Sequence, residues 1–251
     1  MNNIDNLPKT SDEIYGGLND KNIISDLRII SEDSEKIVFG VKRSHFRIRI
    51  PRRVTPDIAY LAGIISGDGN FYICKFHNRI YPRIRLRITS GDISQLIMLN
   101  DIFISTFGAG GKIHKHKGKN CYDLHNNHRV IWLYFKNILL LDKNRLAVPK
   151  EISNPRLFKY FLAGFFDTDG YLNKKGYFGT MMSAKNFGFI NELVFLAKKF
   201  YSFDFSPVKI NELHANGKIF MRAYTNLKKG QTRMFLEQIP LRNKKYGPAR
   251  N

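Results

Sequence analysis

The sequence predicts an α+β protein made of two pseudo-symmetric halves. Each half is ordered helix, strand, strand, helix, strand, strand, helix (αββαββα). Three observations carry this. A short apolar stretch ending in Asp-Gly occurs twice, as Leu61-Ala62-Gly63-Ile64-Ile65-Ser66-Gly67-Asp68-Gly69 and as Leu162-Ala163-Gly164-Phe165-Phe166-Asp167-Thr168-Asp169-Gly170. Its final acids, Asp68 and Asp169, lie 101 residues apart, too far for a solenoid repeat and right for a duplicated domain. The same succession of helical and alternating periodicity follows each copy. The predicted division is an N-terminal extension (1–54), a first domain (55–150) and a second domain with a basic tail (151–251).

Composition narrows the class. The chain has 251 residues, 43% of them hydrophobic and 13% aromatic, enough for two cored domains and too apolar for a disordered chain. Lys and Arg total 41 against 21 Asp and Glu, a net charge of +20. That imbalance costs self-repulsion and implies a polyanionic partner, nucleic acid first. A basic membrane-surface protein is the competitor, but no Lys/Arg-rich amphipathic helix stands out. No apolar run approaches the ~20 residues of a membrane span. Cys74 and Cys121 have no paired spacing, which suits a reducing compartment. The opening Met1-Asn2-Asn3-Ile4-Asp5 is neither a signal nor a transit peptide. The expectation is an intracellular protein, in cytoplasm, nucleoid or organelle matrix, not secreted.

In chain order, the extension begins polar and mildly acidic (Asp12, Glu13, Glu32, Asp33, Glu35) and ends in two apolar runs, Ile37–Val41 and Phe46–Ile50. Alternation in the second puts Arg47 and Arg49 on one strand face. They read either as a DNA-contacting arm or as a charged edge strand. Each motif then opens with a helix start: Thr55-Pro56-Asp57, and Asn154-Pro155. Gly69 and Gly170 read as C-terminal stops. Small residues four apart, Gly63 and Gly67, then Gly164 and Thr168, predict two helices packed closely through these faces. That packing would bring Asp68 and Asp169 together. Carboxylates at a helix C-terminus oppose its dipole and repel each other. A divalent cation such as Mg²⁺ (or Mn²⁺) resolves both conflicts, with Asp68, Asp169 and the adjacent Gly67 and Thr168 as the candidate metal site.

After the first motif, Phe71–Phe76 and Arg83–Thr89 read as strands. Arg83, Arg85 and Arg87 share one face of the second, opposite Ile84, Leu86 and Ile88. A two-stranded ribbon fits the major groove, where arginine pairs bidentately with guanine. Asp92 caps a helix to Phe107, broken by Gly108–Gly111. Lys112–Lys117 and Asn120–Leu124 read as a hairpin turning at Gly118, and a helix runs from about His128 to Leu141. The second half repeats the order: strands near Tyr171 and Tyr177–Ser183, a helix at Phe187–Phe200, a hairpin of Ser206–Leu213 and Lys218–Tyr224 around Asn216-Gly217, and a helix at 230–238. DNA-contact candidates are Arg47, Arg49, Lys75, Arg83, Arg85, Arg87, Lys112, His114, His116, Lys209 and Arg222. The tail carries Arg242, Lys244, Lys245 and Arg250.

His114, His116, Cys121, His125 and His128 fall close enough together to raise zinc, but their spacing matches no common zinc motif. On the hairpin reading, His114 and His116 share a face with Lys112. The run His125-Asn126-Asn127-His128 lacks the surroundings of an HNH nuclease.

The doubled stretch resembles the LAGLIDADG motif of homing endonucleases. The first copy departs at Ile64, Ser66 and Gly67, the second at Phe165, Phe166 and Thr168; both keep the final acid. With the repeated αββαββα order, the resemblance covers about residues 55 to 245. It implies two LAGLIDADG domains forming a DNA-binding saddle, with the motif helices at the domain interface and metal-binding catalytic acids at Asp68 and Asp169. It implies a monomer that makes a metal-dependent double-strand break in a long asymmetric target and leaves short 3′ overhangs. It also implies a polar residue on the second strand of each half, at Arg87 and Thr180, and a lysine near each last helix, at Lys143 and Lys244. Competing readings are an RNA maturase binding its host intron and a DNA-binding regulator without catalysis. A protein-splicing intein is disfavoured by the Met1 start and the absence of a His-Asn ending.

Overall fold

Three strands precede the first helix, and alternating burial builds the second and third. In β1 (Leu27–Glu32), β2 (Lys36–Val41) and β3 (Arg47–Pro51), antiparallel pairing runs β1-β2-β3. Ile37, Phe39, Ile48 and Ile50 face inward, and Arg47 and Arg49 face out. β1 escapes sequence reading because it is exposed almost throughout and shows no period. The computed structural model describes residues 27–41, 45–74, 83–142, 144–173, 176–215 and 217–243, with the backbone alone at Val41, Cys74, Arg83 and Ala215.

The next elements are α1 (Pro56–Asp68), β4 (Gly69–Cys74), β5 (Arg83–Ser90), α2 (Ile93–Phe107), β6 (Lys112–Lys115), β7 (Tyr122–Asn126) and α3 (Arg129–Leu133), which continues as a π-helical turn (Tyr134–Ile138). After a short 3-10 turn come α4 (Pro155–Asp169), β8 (Gly170–Leu172), β9 (Phe178–Ser183), α5 (Phe187–Tyr201), β10 (Lys209–Ala215), β11 (Lys218–Asn226) and α6 (Thr232–Gln238). The expected αββαββα order therefore appears twice. The helix expected over His128–Leu141 is the exception: it is α-helical for five residues, then widens to i→i+5 bonding.

By its internal contacts the chain divides into two units. Among described residues, the first holds those up to Ile58 together with Asp68–Leu141; the second holds Ala59–Gly67 and the residues from Asp142 on. Each contains a four-stranded antiparallel sheet of the same design, β4-β5-β7-β6 in the first and β8-β9-β11-β10 in the second. In each, the strand that follows the motif helix is at one edge and the second hairpin pairs back onto the first.

Amphipathic patterning fixes what covers each sheet. In the first unit, Ile84, Leu86 and Ile88 of β5 and Leu124 of β7 are buried with Leu96, Leu99, Phe103 and Phe107 of α2. Asp92 caps α2 by accepting from Ser94 N–H at 2.8 Å, and Gly108 ends it at φ 75°. That left-handed turn is one a glycine adopts without strain. In the second unit the core is phenylalanine. Phe166 lies 5.1 Å from Phe178 and 5.0 Å from Phe235, and Phe165 lies 5.4 Å from Phe189. The rings by which the second motif departs from the family pattern thus supply this core. Hairpin turns expected at Gly118 and Gly217 have left-handed glycines, at φ 71° and 70°.

Gly69 and Gly170 act differently from the sequence expectation. Neither is left-handed. Gly170 is extended at φ −79°, ψ 150°, and both glycines begin strands directly. Each motif helix runs into its sheet edge with no intervening turn, and each final aspartate occupies the junction.

Candidate functional site

Both motif helices start as their sequences dictate. Thr55 Oγ1 accepts from Ile58 N–H at 3.3 Å, and Asn154 Oδ1 accepts from Leu157 N–H at 3.1 Å, with Pro155 in the first turn. Within the second unit, Ala59–Gly67 packs directly on α4 through glycine. A Cβ on Gly63 would lie 2.0 Å from Phe161 O, and one on Gly164 would lie 2.1 Å from Tyr60 O. The close approach expected from the small-residue spacing is present.

The ends of these helices carry the acids. Asp68 is exposed and Asp169 half-buried. A Cβ on Gly67 would lie 1.9 Å from Thr168 Oγ1 and 2.6 Å from Asp169 Oδ2, so glycine keeps the space beside that carboxylate clear. The Thr168 hydroxyl donates to Phe165 O at 2.8 Å. In the second unit Asp169 and the carbonyls of Gly67 and Thr168 are hard oxygen donors, and in the first unit Asp68 is another. That donor chemistry fits a divalent cation of the Mg²⁺ or Mn²⁺ type.

A buried polar group two residues before Asp169 was not singled out by the sequence. Asp167 is 1% exposed. Its Oδ2 accepts from Tyr60 O–H at 2.8 Å and from Arg242 N–H at 2.7 Å, while Asn243 donates to its main-chain oxygen at 3.0 Å. The Arg242 guanidinium lies 4.4 Å over the Tyr60 ring. Burial, then the Asp167 charge, pushes the Tyr60 phenol far above its usual range. This cluster ties the segment after α6 to both motif helices within the second unit.

Arg87 and Thr180, expected to match, are not equivalent. Gly69 pairs with Ile88 and Asn70 with Arg87; in the other sheet Gly170 pairs with Thr180. By register, Thr180 corresponds to Ile88, and Arg87 to Gly179. A one-residue offset turns a side chain to the opposite face of a strand. Thr180 is accordingly 2% exposed and faces the core, where its hydroxyl donates to Asp169 O at 3.0 Å. It braces the end of α4. Arg87 faces outward.

The outward face of the first sheet is basic and tightly organised. Asn70, Tyr72, Arg85, Arg87, Thr89, His125, Lys112 and His114 share it by register. Arg87 donates to the Tyr72 hydroxyl and stacks 4.6 Å over its ring. Arg85 Nε donates to Asn127 Oδ1 at 3.2 Å. Asp123 is the organiser, and sequence reading missed it because a lone acid in a basic strand carries no pattern. Thr89 donates to it at 2.5 Å, and its Oδ2 lies 2.7 Å from His116 Nε2, 3.4 Å from His125 Nε2 and 3.8 Å from Arg87. Burial alone would raise its carboxyl pKa. The Thr89 hydroxyl, then Arg87 and the two histidines, outweigh burial and hold it below the usual range. His116 lies just beyond the end of β6 and meets Asp123, the cross-strand partner of His114. Among the described residues, no three His, Cys, Asp or Glu side chains are grouped to hold a metal.

The corresponding face of the second sheet has a different chemistry. Tyr171, Met181, Ser183, Arg222, Tyr224, Asn226, Lys209, Asn211, Leu213 and Phe220 line it by register. Lys209 is exposed at one edge and Arg222 is half-buried, 5.9 Å over the Phe220 ring. Asn211 Nδ2 donates to the Tyr224 hydroxyl at 3.3 Å.

In the extension, Arg47 and Arg49 are exposed as expected, but Arg49 has a local partner. Its guanidinium borders Gly108 at the C-terminus of α2, where a cation complements the helix dipole. Lys75, Lys143 and Lys244 lie outside the described residues, as does the side chain of Arg83.

No family model matches the chain. A glutamine–fructose-6-phosphate aminotransferase (isomerizing) of Methanocaldococcus jannaschii is 29% identical over 159 residues, 61% of this chain. The match covers only 13% of that protein's own length. Among solved structures, a variant of I-DmoI in complex with its nicked target DNA in the presence of Mn superposes at a TM-score of 0.56. It is 19% identical and covers 73% of this chain and 94% of that one. A structure of mesophilic variants of the homing endonuclease I-DmoI gives 0.56 at 20% identity, over 76% and 96%. I-DmoI with DNA and Mn gives 0.55 at 21%, over 73% and 96%. The fold is that of the LAGLIDADG homing endonucleases. Within that fold, Asp68 and Asp169 are the final residues of the two LAGLIDADG helices, and each unit supplies one of its four-stranded sheets.

Proposed function

We propose that this chain is a site-specific DNA endonuclease that uses Mg²⁺ or a similar divalent cation to make a double-strand break in a long asymmetric duplex target, leaving short 3′ overhangs. One observation carries the reading: each motif helix ends in an aspartate where it runs into an antiparallel sheet, and the outward faces of both sheets carry cationic and hydrogen-bonding side chains. The net charge of +20 supports a nucleic-acid partner. The DNA and metal named for the solved neighbours support the substrate and the cation.

Asp68 and Asp169 hold the cation, with the carbonyls of Gly67 and Thr168 beside them. When bound, it supplies positive charge at the scissile phosphate and acidifies water. The chain's own residues do the rest. Gly67 keeps space open beside the Asp169 carboxylate, and Thr180 fixes the Asp169 main chain. Tyr60, Asp167 and Arg242 hold the helix end from within. Arg87, oriented by Tyr72 and Asp123, contacts DNA from the sheet adjoining Asp68. Lys143 and Lys244 are proposed to assist proton transfer or charge neutralisation. Since one chain carries two unlike acid-bearing halves, it works as a monomer on an asymmetric site, in an intracellular compartment.

The test is cleavage of a randomised duplex DNA library in Mg²⁺, with Ca²⁺ as control and the cut ends sequenced. Discrete sites with short 3′ overhangs, lost in Asp68→Asn and in Asp169→Asn, are expected. Tight duplex binding without cutting in any divalent metal would replace this reading by a non-catalytic regulator. Weak duplex binding with tight binding to a structured intron RNA would replace it by a maturase.

A further inference from the structure

The two sheet faces differ in chemistry, and the difference specifies the target. This inference rests on the nuclease reading above. On the first face the side chains most able to reach base edges are Arg85, Arg87, Lys112 and His114, and among the described residues no large aliphatic side chain shares that face with them. Arg85 is held through its Nε by Asn127, and Arg87 by Tyr72 and Asp123. Held at Nε, Arg85 presents its terminal nitrogens as an oriented fork, the donor that matches guanine O6 and N7; the terminal nitrogens of Arg87 already meet Tyr72 and Asp123 and offer a base their second hydrogens.

The second face carries exposed apolar side chains as well as polar ones. Met181 is 41% exposed, Leu213 42% and Phe220 40%. Leu213 and Phe220 pair across β10 and β11, and with Met181 they give this face an apolar component that a partner can cover. They are interleaved with Lys209, Arg222, Tyr224 and Asn211, so the patch is cationic at its margins and suits a polyanion rather than an oily surface. In the major groove only thymine offers an apolar group, its methyl, and asparagine is the side chain that matches adenine N6 and N7.

We infer that the target is compositionally asymmetric: guanines are read under the first sheet by Arg85 and Arg87, and an A·T-rich segment, through thymine methyls and adenine, is read under the second by Met181, Leu213, Phe220 and Asn211.

The experiment selects bound and cleaved duplexes separately from a randomised library with the full chain, then repeats the selection with Arg85→Ala and with Phe220→Ala. Each variant maps the positions its own sheet reads. Expected is a site whose Arg85-dependent positions are guanine and whose Phe220-dependent positions are A·T. Discrimination at an Arg85-dependent guanine should fall about ten- to a hundredfold in Arg85→Ala. The selected site is then synthesised with deoxyuridine for thymine in one segment at a time. Loss of the methyls should weaken binding about fourfold per contacted thymine in the Phe220-dependent segment and leave the other unchanged. G·C pairs at the Phe220-dependent positions, or no effect of deoxyuridine there, would overturn the inference while leaving the endonuclease intact. No selected duplex in either arm would overturn the nuclease reading and this inference with it.

Discussion

At Gly164, two effects of one substitution have opposite sign. Replacing a helical glycine by alanine ordinarily stabilises a protein, by about 0.5–1 kcal/mol, because glycine loses more backbone freedom on folding. At Gly164 the new methyl would stand 2.1 Å from Tyr60 O and 3.0 Å from Ile64 N. Both are backbone atoms and cannot rotate away. Relieving the carbonyl contact requires the helices to part by more than about 1 Å, which forfeits a quarter to a half of each dispersion contact across the face. Overpacking of this kind costs about 1–3 kcal/mol. The crowding therefore outweighs the propensity gain, and Gly164→Ala should lower the melting temperature by several degrees, taking 1 kcal/mol as roughly 2–4 °C for a chain of this size. At Gly188, in the first turn of α5, an added methyl would meet open space. Gly188→Ala should leave the melting temperature unchanged or raise it by up to about 4 °C. Paired thermal melts of the two variants decide the matter. A Gly164→Ala protein as stable as the parent would refute the close helix packing from which the rest of the site is built.

Three further outcomes are expected. Asp68→Asn should abolish cleavage of the selected duplex in Mg²⁺ while leaving its binding in Ca²⁺ intact; loss of both would mean a structural role instead. Tyr60→Phe deletes the 2.8 Å bond to buried Asp167 and should destabilise by about 1.5–3 kcal/mol in urea titration, whereas an unchanged midpoint would deny that bond its importance. Acidification should destabilise the fold. Burial, then Arg85, lowers the His125 pKa, and burial lowers that of His128 against the opposing pull of Gly110 O. Both are depressed in the folded state, so the unfolded chain binds protons first; stability is full above about pH 6.5 and declines as pH falls through the folded values. A double His125→Gln, His128→Gln variant should show a flatter melting temperature between about pH 7 and pH 5.

What was legible in the sequence was whatever repeats or alternates. The glycine spacing announced the helix contact, the Arg83–Ile88 alternation announced both faces of β5, and Asp92 and Gly108 announced the bounds of α2. β1 gave no signal because it is exposed on both sides and hence has no periodicity to read. Asp123 and Asp167 gave none either. A buried acid is identified by its partners, and Thr89, His116 and Arg87, or Tyr60 and Arg242, come from distant parts of the chain.

Register separates a residue's type from its role, and Arg87 and Thr180 show why. Both are polar residues on the second strand after a motif helix, and the family resemblance makes them counterparts. Pairing makes Thr180 the partner of Gly170, while Arg87 pairs one residue beyond Gly69. Because side chains alternate, that single step sends one inward to brace the main chain of Asp169 and the other outward to the basic face. The outward counterpart of Arg87 is Gly179, where a methyl would lie 2.3 Å from Thr225 O, so no arginine could be accommodated. Duplication therefore preserved the two acids and the strand order but not the groups around them.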